Sequence, residues 1–303
     1  MWGYRMRSVI VLAIVGLVAQ LVDGSLGMAY GVTSTTLLLA VGISPALASA
    51  SVHISEVGTC AVSGISHWRF GNVDWGKILW MAVPGGLGAF FGAIAVTWIA
   101  TVAEETVAPV VAVFLFALGV YILARFSFRR RERPVQVRPI ARGFLAPLGL
   151  IAGFLDAAGG GGWGPISTPT LISSGKMEPR KVVGTVDTSE FVVALSASIG
   201  FFLALSFAEI PWQIVGALLV GGVIAAPIAA YIVRILPARI LGTAVGGIIL
   251  VTNMRTFMGT VGIEGALALL LYALIVVVWV AALAHSIMVN RQEKRTAAEG
   301  HPA

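Results

Sequence analysis

Long apolar runs, interrupted at polar or glycine-rich points, dominate the chain. They fall at about 9–22, 31–43, 46–66, 76–102, 107–126, 143–155, 164–173, 182–206, 211–233, 239–254 and 262–289. These runs are continuous, without the short alternating segments of a transmembrane barrel, so they predict helices. Crossing the hydrocarbon of a bilayer takes about 20 helical residues. The segments 9–22, 31–43, 143–155 and 164–173 are too short for that. They come in two pairs, each straddling a glycine-rich break. Each pair is either one broken spanning helix or a re-entrant hairpin that leaves by the side it entered.

The two broken pairs are copies of one another. GLVAQLVDGSLGMAYGVTSTTLL, from Gly16, aligns without a gap on GLIAGFLDAAGGGGWGPISTPTL, from Gly149. Identities include Asp23/Asp156, Gly27/Gly160, Gly31/Gly164, Ser34/Ser167, Thr35/Thr168 and Leu38/Leu171. After a one-residue shift the register continues through Pro45/Pro179, Ser55/Ser189 and Glu56/Glu190, and places His53 opposite Asp187. Apolar segments interrupted by glycine at matching places in two halves mark the binding site of a secondary transporter.

Composition fixes the solvent. Hydrophobic residues make up 58% of the chain and charged residues 11%, with a mean hydropathy of +0.94. A soluble domain carries about 25% charged residues, so lipid must cover most of this surface. The net charge of +6 comes mainly from one loop, Arg125–Arg142, which holds seven arginines. Such a loop beside membrane helices marks the cytoplasmic side. If both broken pairs re-enter, all Lys and Arg except Arg5, Arg7 and Arg255 fall on that side; if both span, the charges divide far more evenly. The expectation is therefore an all-α polytopic membrane protein with an inverted structural repeat, about seven full transmembrane helices and two re-entrant or broken helices. The N-terminus lies outside and the C-terminus in the cytoplasm. Residues 1–126 form the first repeat, 127–141 a basic cytoplasmic linker, 142–257 the second repeat, and 258–303 an extra helix with a polar, disordered tail from Arg291. Arg5 and Arg7 before an apolar run imitate a signal peptide. The same pattern recurs at Arg142 in mid-chain, which argues against cleavage.

Irregular backbone at membrane depth is tolerated only against protein or a water-filled cavity. The helix that starts after each break presents a positive dipole end and free N–H groups, which suit an oxyanion. Candidate substrate-binding residues are Gly27, Gly31, Ser34 and Thr35 in the first copy. In the second they are Gly160, Gly161, Gly162, Trp163, Gly164, Ser167 and Thr168. The competing reading is that these glycines only allow close helix packing. Gly159-x-Gly161-x-x-Gly164 matches a dinucleotide fingerprint by letter, but it lacks the preceding strand. Asp23, Asp156, Glu56, Glu190, Asp187 and His53 lie in or beside apolar segments without a deep Lys or Arg partner, and ionisable groups there commonly move ions or protons. They are the proton-coupling candidates, with helix capping as the alternative for Asp23 and Asp156. The histidines and the lone Cys60 have no metal-ligand spacing, so neither a metal nor a cofactor is expected.

With these elements in place, the chain resembles the TauE/SafE family of bacterial membrane proteins, described as sulfite or organosulfonate exporters. The resemblance rests on the Asp-then-glycine element in each half and on EPRKVVGTVDTSEFV, Glu178–Val192, and it spans residues 8–260. The first half departs from the pattern, with Ala46 and Leu47 where a basic residue is expected. The resemblance implies a non-enzymatic secondary transporter of a small sulfur-containing anion in the bacterial inner membrane, coupled to protons. The expected partners are that anion, protons and the lipid bilayer, with a homodimer as candidate assembly and no nucleic acid. A cation or metal transporter and a non-transporting scaffold subunit remain open as alternatives.

Overall fold

The computed structural model describes residues 2–128, 138–232, 238–260 and 262–298. The eleven helices among them match the eleven apolar segments one for one. They are α1 (Trp2–Leu26), α2 (Tyr30–Ala40), α3 (Pro45–Arg69), α4 (Trp75–Val102), α5 (Glu104–Ser127), α6 (Arg142–Gly159), α7 (Trp163–Ser173), α8 (Pro179–Ala204), α9 (Trp212–Ile232), α10 (Ala238–Thr260) and α11 (Gly265–Ala298). Six stretches are long and apolar enough to cross a membrane: Val9–Leu26, Trp75–Val102, Thr106–Ser127, Pro179–Ala204, Trp212–Ile232 and Gly265–Glu293. The protein is thus an all-helical, multi-pass membrane protein.

Several boundaries differ from the sequence expectation, among them the ends of α1 and α11. α1 reaches Leu26, because Ser25 turns its hydroxyl back onto the Leu21 carbonyl and Asp23 is buried in protein. α11 runs to Ala298, so the stretch from Arg291 to there is helix, not a disordered tail. Its Arg, Gln, Glu, Lys and Ala residues are good helix formers, and Glu293 meets Arg239 of α10 at 3.4 Å. Most of the expected linker (129–137) and the last residues (299–303) lie outside the described residues.

Helix directions follow from which residues touch. α1 runs parallel to α9, with Gly16 on Leu218 and Gly24 on Ala229. α6 runs parallel to α4, with Gly149 on Met81 and Gly153 on Gly85. Apart from Gly24, which meets the Ala229 methyl, these contacts are to backbone, the close approach that small residues permit between membrane helices. α3 is parallel to α9 (Gly58 on Leu219, Phe70 against Tyr231), and α4 is parallel to α8 (Gly86 on Ser196, Phe90 and Ala93 on Gly200). α3 and α8 run antiparallel (His67 beside Asp187, Gly64 beside Thr188, His53 beside Phe201), as do α5 and α10 (Gly119 on Ile249, Gly242 on Phe126).

The second broken pair folds back on itself. Arg138, just before α6, donates its N–H to the carbonyl of Lys176, just after α7, at 3.3 Å. In the first pair, Leu38, Leu39 and Ile43 at the end of α2 share a cluster with Leu12 and Val15 of α1. Basic loops gather at one end: Lys181 donates to the Val73 carbonyl, and Arg239 reaches the Ser127 carbonyl.

Candidate functional site

Each break is closed by the aspartate that precedes it. Gly162 and Trp163 donate their N–H groups to Asp156 Oδ1 at 2.6 and 2.9 Å, and Tyr30 donates its N–H to Asp23 Oδ1 at 3.3 Å. Capping is therefore part of what Asp23 and Asp156 do. The carboxylate sits at the end of one half-helix and satisfies the free amides of the next. Gly160 and Gly161, at φ 70° and 152°, adopt backbone conformations that side chains disfavour. In the first break Gly27, at φ 67°, and Ala29, at φ 100°, share that task, the latter a strained position for a residue with a Cβ.

The two breaks pack against each other. The Gly31 and Gly161 backbones touch, and Gly164 abuts Met28. Thr168 donates its hydroxyl to the Gly27 carbonyl, while Thr35 lies against Gly160, a reciprocal exchange between the halves. Trp163 is fully buried, with its ring on Gly85 and its Nε1–H donated to the Val186 carbonyl at 3.0 Å, so it packs α7 onto α4 and α8. The counterpart Tyr30 bonds Ser55 Oγ at 3.1 Å. These glycines thus serve close packing. The hydroxyls of Ser34, Thr35 and Ser167, in contrast, are buried beside this junction without a hydrogen-bond partner.

The six ionisable candidates assemble into two clusters, each drawing on both halves of the chain. His53 and Glu56 of α3 meet Asp156 of α6; Asp187 and Glu190 of α8 meet Asp23 of α1. In each cluster the donor oxygens and nitrogens lie within 4.8 Å of one another, and no member is more than 5% exposed. His53 Nδ1 donates to the Ser49 carbonyl at 2.8 Å, and its Nε2 meets Asp156 Oδ2 at 3.0 Å. Ser49 also donates its hydroxyl to the Ala157 carbonyl at 2.7 Å, which ties α3 to the second break. Glu56 Oε2 is 4.0 Å from His53 Nε2. No Lys or Arg forms an ion pair with either cluster among the described residues.

The sequence reading missed three neighbours. His67 Nε2 lies 3.8 Å from Asp187, Asn72 donates to His67 Nδ1 at 3.2 Å, and Asn253 of α10 donates to Thr36 at 2.8 Å. A signal for His67 was available. Ser49, His53, Glu56, Cys60, Ser63 and His67 recur every three or four residues, one face of a helix.

Fold and site together define a multi-pass helical membrane protein whose buried acidic clusters flank two opposed glycine breaks. Comparison with known proteins places it: the chain belongs to the family described as Sulfite exporter TauE/SafE, whose profile matches residues 12–256. It is similar to a Bacillus subtilis (strain 168) protein named "Probable membrane transporter protein YtnM", 46% identical over 299 residues, covering 98% of this chain and 99% of that one. No solved structure matches this fold.

Proposed function

We propose that the protein is a secondary transporter of a small sulfur-containing anion, sulfite or a short organosulfonate, with transport coupled to protons. The observation that carries this reading is the matched pair Ser34 and Ser167. They are repeat counterparts, each fully buried with an unpartnered hydroxyl, beside the junction of the two breaks. Buried polar groups are rarely left unsatisfied, and hydroxyl donors beside helix N-termini suit an oxyanion. The N-terminus of α7 already holds one such group, the Asp156 carboxylate. An oxyanion can replace it once Asp156 takes a proton, and His53 at 3.0 Å is placed to exchange that proton. Anion binding and proton binding then depend on each other.

The halves act as inverted repeats. Each helix of α1–α5 runs opposite to its counterpart in α6–α10, as expected if each repeat makes an odd number of crossings. In this reading α3, α4, α5, α8, α9, α10 and α11 supply seven crossings, α3 and α10 joining five of the six long apolar stretches, and the pairs α1–α2 and α6–α7 re-enter from opposite faces, although α1 is itself long and apolar enough to span. Rocking of one half against the other exposes the junction to either side in turn. The basic end and the C-terminus face the cytoplasm of a bacterial inner membrane. Flux of sulfite and short sulfonates into liposomes, measured across a range of pH, tests the reading. Ser34→Ala and Ser167→Ala are each expected to lower flux at least about tenfold, the loss of roughly one hydrogen bond to a charged group, and Glu190→Gln to lower it by removing an ionisable group from the second cluster. Flux indifferent to all three rules this site out.

A further inference from the structure

The two ionisable clusters are counterparts, but their chemistry differs at one position. In the first, His53 places an imidazole between Asp156 and Glu56. The matching residue in the second is Asp187, so Asp23, Asp187 and Glu190 bring three carboxylates within 4.8 Å of one another. Asp187 is fully buried, and neither of its oxygens has a hydrogen-bond partner. His67 Nε2 remains 3.8 Å from Asp187, beyond hydrogen-bond reach, and its Nδ1 accepts from Asn72.

Burying acidic groups together is expensive unless something positive lies among them. The first cluster holds its imidazole within hydrogen-bond distance of a carboxylate, whereas the second has only His67, 3.8 Å from Asp187. Three carboxylates from α1 and α8, each with an oxygen within 4.8 Å of the others, form an oxygen-only ligand set. Such sets suit hard cations such as Na+, Mg2+, Ca2+ or Mn2+, whereas zinc and copper favour nitrogen and sulfur. The spacing has no sequence signature because Asp23 belongs to one repeat and Asp187 and Glu190 to the other.

We propose that Asp23, Asp187 and Glu190 form a binding site for a hard metal cation, which travels as a coupling ion beside the anion. The coupling role rests on the transporter reading above; the binding does not. Purified protein in nanodiscs is titrated with NaCl, MgCl2, CaCl2 and MnCl2 against choline chloride at equal ionic strength. Thermal midpoint is followed, with equilibrium dialysis of 22Na+ or 45Ca2+ as the direct readout. One of these cations is expected to bind at about one per chain and to raise the midpoint by about 5 °C at a hundredfold excess over its Kd. Asp187→Asn and Asp187→His should each weaken binding at least tenfold. The histidine variant recreates the first cluster, so it should fold without the cation and keep the test decisive if the asparagine variant does not fold. Glu178→Gln, an exposed carboxylate elsewhere, should leave binding unchanged. Equal midpoints in all five salts, or binding that survives both Asp187 variants, overturns the proposal. Sulfite flux without cation binding would sink this site and leave the transporter reading standing; cation binding without flux of any sulfur anion would do the reverse.

Discussion

Asp156 offers the sharpest perturbation, because asparagine and alanine should behave differently there. The carboxylate accepts from Gly162 N–H, Trp163 N–H and His53. Alanine removes all three contacts. Loss of a helix cap costs about 0.5–2 kcal/mol, and a hydrogen bond to a charged group is worth about 1.5–3 kcal/mol. The expected loss is therefore about 2–5 kcal/mol. Asparagine keeps an oxygen for the two amides and turns an N–H₂ toward His53 Nε2. His53 Nδ1 already donates to the Ser49 carbonyl, so a neutral imidazole can accept there with every partner satisfied. Asp156→Asn should cost under about 1 kcal/mol, the scale of one neutral hydrogen bond. At roughly 2 °C per kcal/mol for a chain of this size, Asp156→Ala should lower the thermal midpoint by about 4–10 °C and Asp156→Asn by about 2 °C or less. Asp156→Asn should also imitate the protonated carboxyl and flatten the pH dependence of anion flux. Thermal unfolding in detergent with liposome flux at several pH values provides the comparison. Equal destabilisation by both variants, or an unchanged pH profile in Asp156→Asn, would refute the reasoning.

Gly161→Ala places a Cβ against the Val32 backbone at a disfavoured φ of 152°. It should destabilise by about 2–5 kcal/mol through strain plus overpacking, while Gly175→Ala, in open space at φ 64°, should cost only about 1–2 kcal/mol; thermal midpoints of the pair separate the clash from the backbone preference. Trp163→Phe loses the bond to the Val186 carbonyl and should cost about 1–3 kcal/mol for the unsatisfied acceptor, read by the same unfolding assay. In a Cys60→Ala background, Val41→Cys and Ser173→Cys, both exposed at the C-terminal ends of α2 and α7, should label with impermeant thiol reagents from opposite sides of intact cells; labelling from the same side would exclude opposed hairpins.

Much of this architecture was legible in the chain because lipid imposes a simple rule: helical segments are apolar, and interruptions stand out. All eleven helices, both breaks and the repeat register could be read from the alternation of apolar runs with Gly, Asp and Arg. Pairing across the repeats could not. That Asp156 meets His53 rather than Asp187, or that Asp23 meets Glu190, depends on how α6 packs against α3 and α1 against α8, which local sequence does not encode. Capping by Asp23 and Asp156 stood as one of two readings, since an aspartate ahead of a glycine break can face either the amides or a cavity. His67 was overlooked because it lies near the end of an apolar run, where a polar residue usually meets water; its register with His53 and Ser63 was the usable clue. α11 ran past the polar boundary because helix propensity, not hydropathy, decides the structure of Arg291 to Ala298.

Counterflow of labelled sulfite in liposomes holding the purified protein tests the central claim most directly, since exchange requires a single site that opens to both faces. Transient accumulation of label against unlabelled internal sulfite is expected, blocked by short sulfonates and lost in the Ser34→Ala/Ser167→Ala double variant. Label no higher than in protein-free liposomes, or accumulation untouched by loss of both hydroxyls, would contradict an anion site at the junction of the two breaks.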